Sequence, residues 1–251
     1  MKISVCGKGG SGKSTIVTLL AQELVKRGKE VLIVDADESN YGLHRHLGME
    51  KPEDFMEYVG GKAGFVRNKG MIDSKAFMEQ YFKEEWTIAD IPERYYTQQN
   101  GIRLMCSGKI QEAGEGCACP FHAVLKNFIT HLKLTDEQVA ILDMEAGIEH
   151  FGRGIDENMD MIFMVCDPSY ESVQLADKVT TLADNIGKPV FYILNKVDDV
   201  SENIIKDAIK RKENVAGVIP ANPELLAEGL SGKEITVTIP EIAKAADLVT
   251  K

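Results

Sequence analysis

Short apolar runs rich in Val and Ile recur along the chain, separated by stretches whose apolar residues fall at helical spacing. A strand buried on both faces reads as such a run, whereas a helix lying on a sheet shows an apolar stripe every three or four residues. The runs predict strands at Lys2 to Cys6, Glu30 to Asp35, Ile102 to Cys106, Val139 to Asp143, Met161 to Val165, Val190 to Asn195 and Val215 to Ile219. Helices are predicted at Ser14 to Arg27, Phe121 to His131, Tyr170 to Ile186, Ser201 to Lys212 and Pro223 to Leu230, with a short one after Pro240. Strands and helices in alternation predict an α/β fold, a mainly parallel twisted sheet of about seven or eight strands with helices on both faces. Between Gly60 and Asn100 the pattern loosens into mixed charges and scattered aromatics around Trp86. That stretch reads as an irregular insertion in a single domain spanning 1–251.

Composition narrows the classes of function. The chain has 251 residues, 44% of them hydrophobic, which is ample for one large core. A formal net charge of -10 argues against a nucleic-acid partner, because such binding draws most of its affinity from neutralised phosphates. No run approaches the ~18 apolar residues of a membrane span, and the last segment carries too few charges for a surface anchor. No stable membrane association is therefore expected. The opening residues place glycine-rich chemistry where a signal peptide would need an uninterrupted apolar run, so a cytoplasmic protein is expected. Five cysteines without the composition of a small secreted scaffold direct attention to thiol or metal chemistry rather than disulfides.

Gly7-Lys8-Gly9-Gly10-Ser11-Gly12-Lys13-Ser14-Thr15 follows a predicted strand and opens a predicted helix, the context that makes a glycine-rich run a phosphate cradle. Glycines let the backbone wrap a phosphate with its N–H groups inward, and the helix adds its positive N-terminal end. Lys13 is expected on the β/γ-phosphates of ATP and the Ser14 hydroxyl on Mg²⁺. Asp35 and Asp37 end the second strand one residue apart, so both point to one face; Asp35 reads as support for the Mg²⁺ shell. Asp143 ends an apolar strand in the form that holds the Mg²⁺ hydration shell in P-loop hydrolases. Asn195-Lys196-Val197-Asp198 ends another strand and matches a guanine-reading pattern, which leaves GTP open beside ATP. Cys117-Ala118-Cys119 offers two thiols able to chelate Ni²⁺ or Zn²⁺, with a buried pair and a redox dithiol as alternatives. Cys6, Cys106 and Cys166 sit in or at the end of apolar strands and read as core.

Lys8, early in the loop, resembles the deviant lysine of the MinD, ParA and nitrogenase-iron-protein group. The resemblance implies a P-loop ATPase in which Lys8 acts on the nucleotide of a partner subunit, so that Lys8, Lys13 and Asp37 are catalytic. Asp37 would position or activate the attacking water, and Gly147 would follow the γ-phosphate. It also implies that Asn195, Lys196 and Pro220 face adenine. With Ser107-Gly108-Lys109-Ile110 leading to Cys117-Ala118-Cys119, and with the run from Asp143 to His150, the chain is similar more narrowly to the CooC-type nickel-insertion ATPases. That resemblance implies an ATP/ADP cycle, a homodimer formed on ATP or metal binding, and nickel (or zinc in its place) held by Cys117 and Cys119 of both chains. It also implies delivery to carbon monoxide dehydrogenase or the related acetyl-CoA synthase. An ATP-dependent iron–sulfur carrier and a spatial-organising switch are the rival readings. In the iron-protein manner a second cluster ligand would fall near His150, where no cysteine stands.

Overall fold

The computed structural model describes residues 1–37, 40, 42–61, 64, 80–82, 84–109 and 119–250. Eight strands form a sheet: β1 (Lys2–Gly7), β2 (Glu30–Asp35), β3 (Tyr96–Gln99), β4 (Ile102–Cys106), β5 (Gln138–Asp143), β6 (Met161–Cys166), β7 (Val190–Val197) and β8 (Val215–Pro220). Their order is β3-β4-β2-β5-β1-β6-β7-β8, and every pairing except β3 with β4 is parallel. The described helices include α1 (Lys13–Lys26), α2 (Leu43–His46), α3 (Cys119–His131), α4 (Glu149–Gly152), α5 (Tyr170–Asn185), α6 (Asp199–Ala208), α7 (Pro223–Ser231) and α8 (Ala243–Val249). None is long and apolar enough to cross a membrane.

Seven strands lie where the apolar runs predict them. The eighth, β3, is short and polar and lies in the stretch read as an insertion. Its own signal is the dipeptide Asn100-Gly101, whose φ angles of 49° and 79° are the left-handed pair a tight hairpin requires. The predicted helix over Ser201 to Lys212 begins and ends earlier, at Asp199 and Ala208, because Asp198 caps it by accepting from Ser201 N at 2.8 Å.

Alternation along the strands sorts the core into two layers. Ile3, Val5, Val31 and Ile33 face a cluster with Ile16 and Leu20 of α1, while Cys6, Leu32 and Val34 face the other side. That second layer holds an aromatic knot. Phe55 stacks on Tyr58 at 5.3 Å and meets Phe128 of α3 edge-on at 5.2 Å and Tyr95 at 5.6 Å. Trp86 and Tyr95, from the stretch read as irregular, are buried in it. The knot therefore seats α3, the helix that Cys119 begins. The strand order reverses about β1, whose neighbours are β5 and β6, and a crevice at the carboxyl ends of strands forms at such a reversal.

Phe55→Ala removes the ring at the centre of the knot and is expected to cost about 3–5 kcal/mol. Urea unfolding with an unchanged slope measures this, and a loss below about 1 kcal/mol contradicts the central role given to that ring.

Candidate functional site

The loop between β1 and α1 owes its shape to two glycines. At Gly7 (φ +156°) a Cβ would stand 2.7 Å from Val165 O and 2.9 Å from Ser11 Oγ. At Gly12, φ is +97° and a Cβ would run into Asn195 Nδ2. Both positions demand the residue that lacks one. The loop is braced from β7: Asn195 Nδ2 donates to Ser11 O and Lys196 Nζ to Gly10 O, each at 2.8 Å. Lys196 reaches there from a left-handed conformation (φ 61°), where the pairing of β7 with β8 shifts register. A strained residue at a bulge re-aims its side chain out of the sheet, here onto the loop.

Three carboxylates meet the start of α1. Asp35 and Asp143 are register partners across β2 and β5, so their side chains emerge together at the carboxyl end of the sheet. Ser14 Oγ donates to Asp143 Oδ2 at 2.5 Å and receives a hydrogen bond from Asn40 Nδ2 at 2.6 Å. Lys13 Nζ lies 4.0 Å from Asp37 Oδ2. Lys109 Nζ donates to Asp35 Oδ2 at 2.7 Å and to Asp37 O at 2.5 Å. Burial pushes the Asp35 carboxyl up to about 6 against the pull of Lys109. Burial, reinforced by the charge of Asp35, pushes Asp143 up to about 7.

The run after β5 closes on the loop, with Gly147 N–H donating to Gly7 O at 3.4 Å and φ of +101° at Gly147. Beyond it Glu145 Oε1 accepts from Arg153 at 2.6 Å and lies 3.3 Å from His122 Nε2 on α3. His150 is fully buried, its Nδ1 2.6 Å from Asp156 Oδ2, and Asp156 Oδ1 accepts from Ser4 Oγ at 2.9 Å. That places His150 in the interior rather than on a surface where a second chain could share a metal. Lys8 forms an ion pair with Asp167 of its own chain at 3.3 Å. Burial raises the Asp167 carboxyl, but hydrogen bonds from Ser169 and Ser172 and the Lys8 charge outweigh it and hold it below the usual range.

A family model for the CobQ/CobB/MinD/ParA nucleotide binding domain matches residues 3–235. The chain belongs to that family. It is 45% identical to an uncharacterised ATP-binding protein of Methanocaldococcus jannaschii over 100% of both chains. It is 33% identical to the carbon monoxide dehydrogenase accessory protein CooC of Rhodospirillum rubrum, over 92% of this chain and 88% of that one. In fold it matches the septum site-determining protein MinD with Mg-ADP from Pyrococcus horikoshii, with a TM-score of 0.67 and 18% identity over 100% and 96% of the two chains. It is an ATP-binding protein of the MinD/ParA type.

In this family member a cavity of about 470 Å³ opens beside the loop, lined by Gly12, Thr15, Asn195, Lys196 and Pro220 together with His46. The sites fit a magnesium nucleotide on grounds visible in the chain itself: Ser11 Oγ, Asp35 Oδ1 and Asp143 Oδ1 are buried and have no hydrogen-bond partner. Asp198, the guanine-reading residue of its four-residue match, is exposed and committed to capping α6 rather than lining the cavity. Gly9 and Gly10 lie on the loop, with open space where a Cβ at Gly10 would stand. Sequence reasoning missed Asn40, His46 and the bracing role of Lys196, and it gave Lys109 no role in the site. Of these, only Lys109 had a local signal, in the run Ser107-Gly108-Lys109-Ile110. Cys117 lies outside the described residues, and Cys119 is described only as the first residue of α3. Among the described residues no group of three or more His, Cys, Asp and Glu is arranged to hold a metal ion.

The other three cysteines are buried, and burial pushes the Cys106 and Cys166 thiols up to about 12 and raises that of Cys6. Thiolate is the reactive form. A Cys117→Ser/Cys119→Ser variant is therefore expected to show no fast-reacting thiol at neutral pH and three after unfolding. Fast labelling of the folded variant contradicts the interior placement.

Proposed function

We propose that the chain is an ATP-hydrolysing metallochaperone. Its nucleotide-dependent homodimer binds nickel through Cys117-Ala118-Cys119 and delivers it to a client metalloenzyme of the carbon monoxide dehydrogenase or acetyl-CoA synthase type. One observation carries the reading: the strand end that leads to the cysteine pair is bonded to the strand end that carries the catalytic carboxylates. Ser107 N–H donates to Asp35 O at 2.9 Å, so β4 and β2 end as one unit, with nine residues from Lys109 to Cys117 counted inclusively. The relation to the CooC of Rhodospirillum rubrum supports the nature of the cargo and client.

In this reading Gly7, Gly9, Gly10, Ser11, Gly12 and Thr15 wrap the phosphates, and Lys13 compensates their charge. Mg²⁺ would sit on Ser14 within reach of Asp35 and Asp143, where it supplies charge stabilisation to the phosphates. Asp37 orients a water and accepts its proton as the water oxygen bonds the γ-phosphorus and the bond to ADP breaks. Lys8 leaves Asp167 when a second copy docks and meets the partner's nucleotide. Asn195, Lys196 and Pro220 line the base pocket, which favours adenine because Asp198 is engaged elsewhere. Gly147, hydrogen-bonded to Gly7, follows the γ-phosphate. Two Cys-x-Cys segments brought together supply four thiolates, enough to complete a metal shell that one pair leaves half filled.

Linkage ties metal to association, since a ligand held only by the dimer must favour the dimer. Sedimentation with a non-hydrolysable ATP analogue and titration with Ni²⁺ are expected to give one metal per dimer. Lys8→Ala should bind nucleotide but fail to dimerise, and Cys117→Ser/Cys119→Ser should lose tight metal binding and keep ATP. One metal per monomer without any effect on association, or tight binding in the double variant, contradicts the reading.

A further inference from the structure

Lys109 is buried to within 4% of full occlusion, three residues beyond the end of β4 and outside the phosphate loop. Lysine is almost never so deeply buried unless paired, and apolar residues of similar volume commonly replace a buried ion pair without loss of stability. Two of its hydrogen bonds reach the end of β2 and the residues just past it, one to the carboxylate of Asp35 and one to the main-chain carbonyl of Asp37. Asp37 is thereby held from both sides, by Lys109 on its backbone and by Lys13 near its carboxylate at 4.0 Å.

The backbone that aims Lys109 is itself fixed. Ser107 N–H donates to Asp35 O at 2.9 Å and Ser107 O accepts from Met56 N at 3.0 Å. Gly108 has φ of +154°, and a Cβ there would stand 2.6 Å from the ring of Phe121 on α3. A lysine on so constrained a segment offers its ammonium at a set place rather than searching for it, which is how preorganised groups act.

We propose that Lys109 is a positioning residue for ATP hydrolysis, holding the Asp37 main chain so that its carboxylate faces the attacking water. This rests on the reading of Asp37 as the water-orienting group. Lys109 touches neither water nor phosphate in this role, so it acts on turnover rather than on nucleotide affinity. A merely structural lysine would lower stability and leave the folded fraction fully active.

The test is steady-state hydrolysis by Lys109→Met, read as kcat and KM separately, with binding of a non-hydrolysable ATP analogue as the check on the pocket. The expected result is a loss of about tenfold or more in kcat with KM moved less than about threefold. Because Lys109→Met leaves Asp35 buried without its partner, the same change is also made in an Asp35→Asn background, where removing the lysine leaves no unpaired carboxylate behind. There kcat should still fall about fivefold or more below Asp35→Asn alone. Equal kcat in Asp35→Asn with and without Lys109, or a loss of kcat matched by an equal loss of analogue binding, overturns the proposal and leaves the ATPase reading standing. A wild-type chain that binds the analogue without any turnover defeats that reading and this proposal together.

Discussion

Three carboxylates in a nearly dry place set the terms for the rest of this molecule. Asp35 and Asp143 are brought side by side by the register of β2 and β5, and Asp37 follows two residues on. All three are buried. Ionised carboxylates lose much of their hydration on burial, and neighbours of like charge add to the cost. The described compensation comes from Lys13, Lys109 and the Ser14 hydroxyl. Asp35 and Asp143 answer with raised affinities for a proton, and each keeps one buried oxygen without a partner. Such a cluster is poorly built for an empty site and well built for one that receives a divalent cation with phosphates.

The surrounding architecture serves that cluster. Parallel pairing places the ends of β1, β2, β5 and β7 at one edge of the sheet, so the loop, both acidic strand ends and the bracing Asn195 and Lys196 meet without long connections. Two cores hold the sheet between them. The one rich in aromatics also seats α3, and Phe121 of that helix presses on Gly108 beside Lys109. Gly108 and Lys109, just past β4, are thus set by packing against α3. His122 on α3 and Glu145 after β5 add a polar contact between the same two regions.

Much of this was legible in the sequence because it follows from local rules. Apolar runs marked seven strands, and glycines at Gly7 and Gly12 marked a loop whose backbone excludes a Cβ. What escaped depends on distant partners. Tyr96 to Gln99 carries no apolar signal, since it pairs on one side only and its place comes from the Asn100-Gly101 turn. Asn195 and Lys196 read as base contacts, yet their side chains also hold the loop, a role set by a register shift no pattern reveals. Asn40 meets Ser14 across 26 positions and Lys109 meets Asp35 across 74, so neither is marked by spacing. The acidic pattern Asp35-Ala36-Asp37 announced a site, whereas Lys109, the cation that shares it, comes from beyond the end of β4.

The cluster's readiness for a cation is open to direct measurement. With Asp143 at about 7 and Asp35 at about 6, a substantial share of the apo chain carries these protons near pH 6.5. A magnesium-loaded, non-hydrolysable ATP analogue should expel them, because the cation favours the ionised carboxylates. Titration calorimetry in buffers of differing ionisation heat, with Mg²⁺ in excess throughout, counts the protons exchanged. The account predicts a net release that grows as the pH is lowered from 8 toward 6 and shrinks in Asp143→Asn. Binding with no proton release across that range would contradict it.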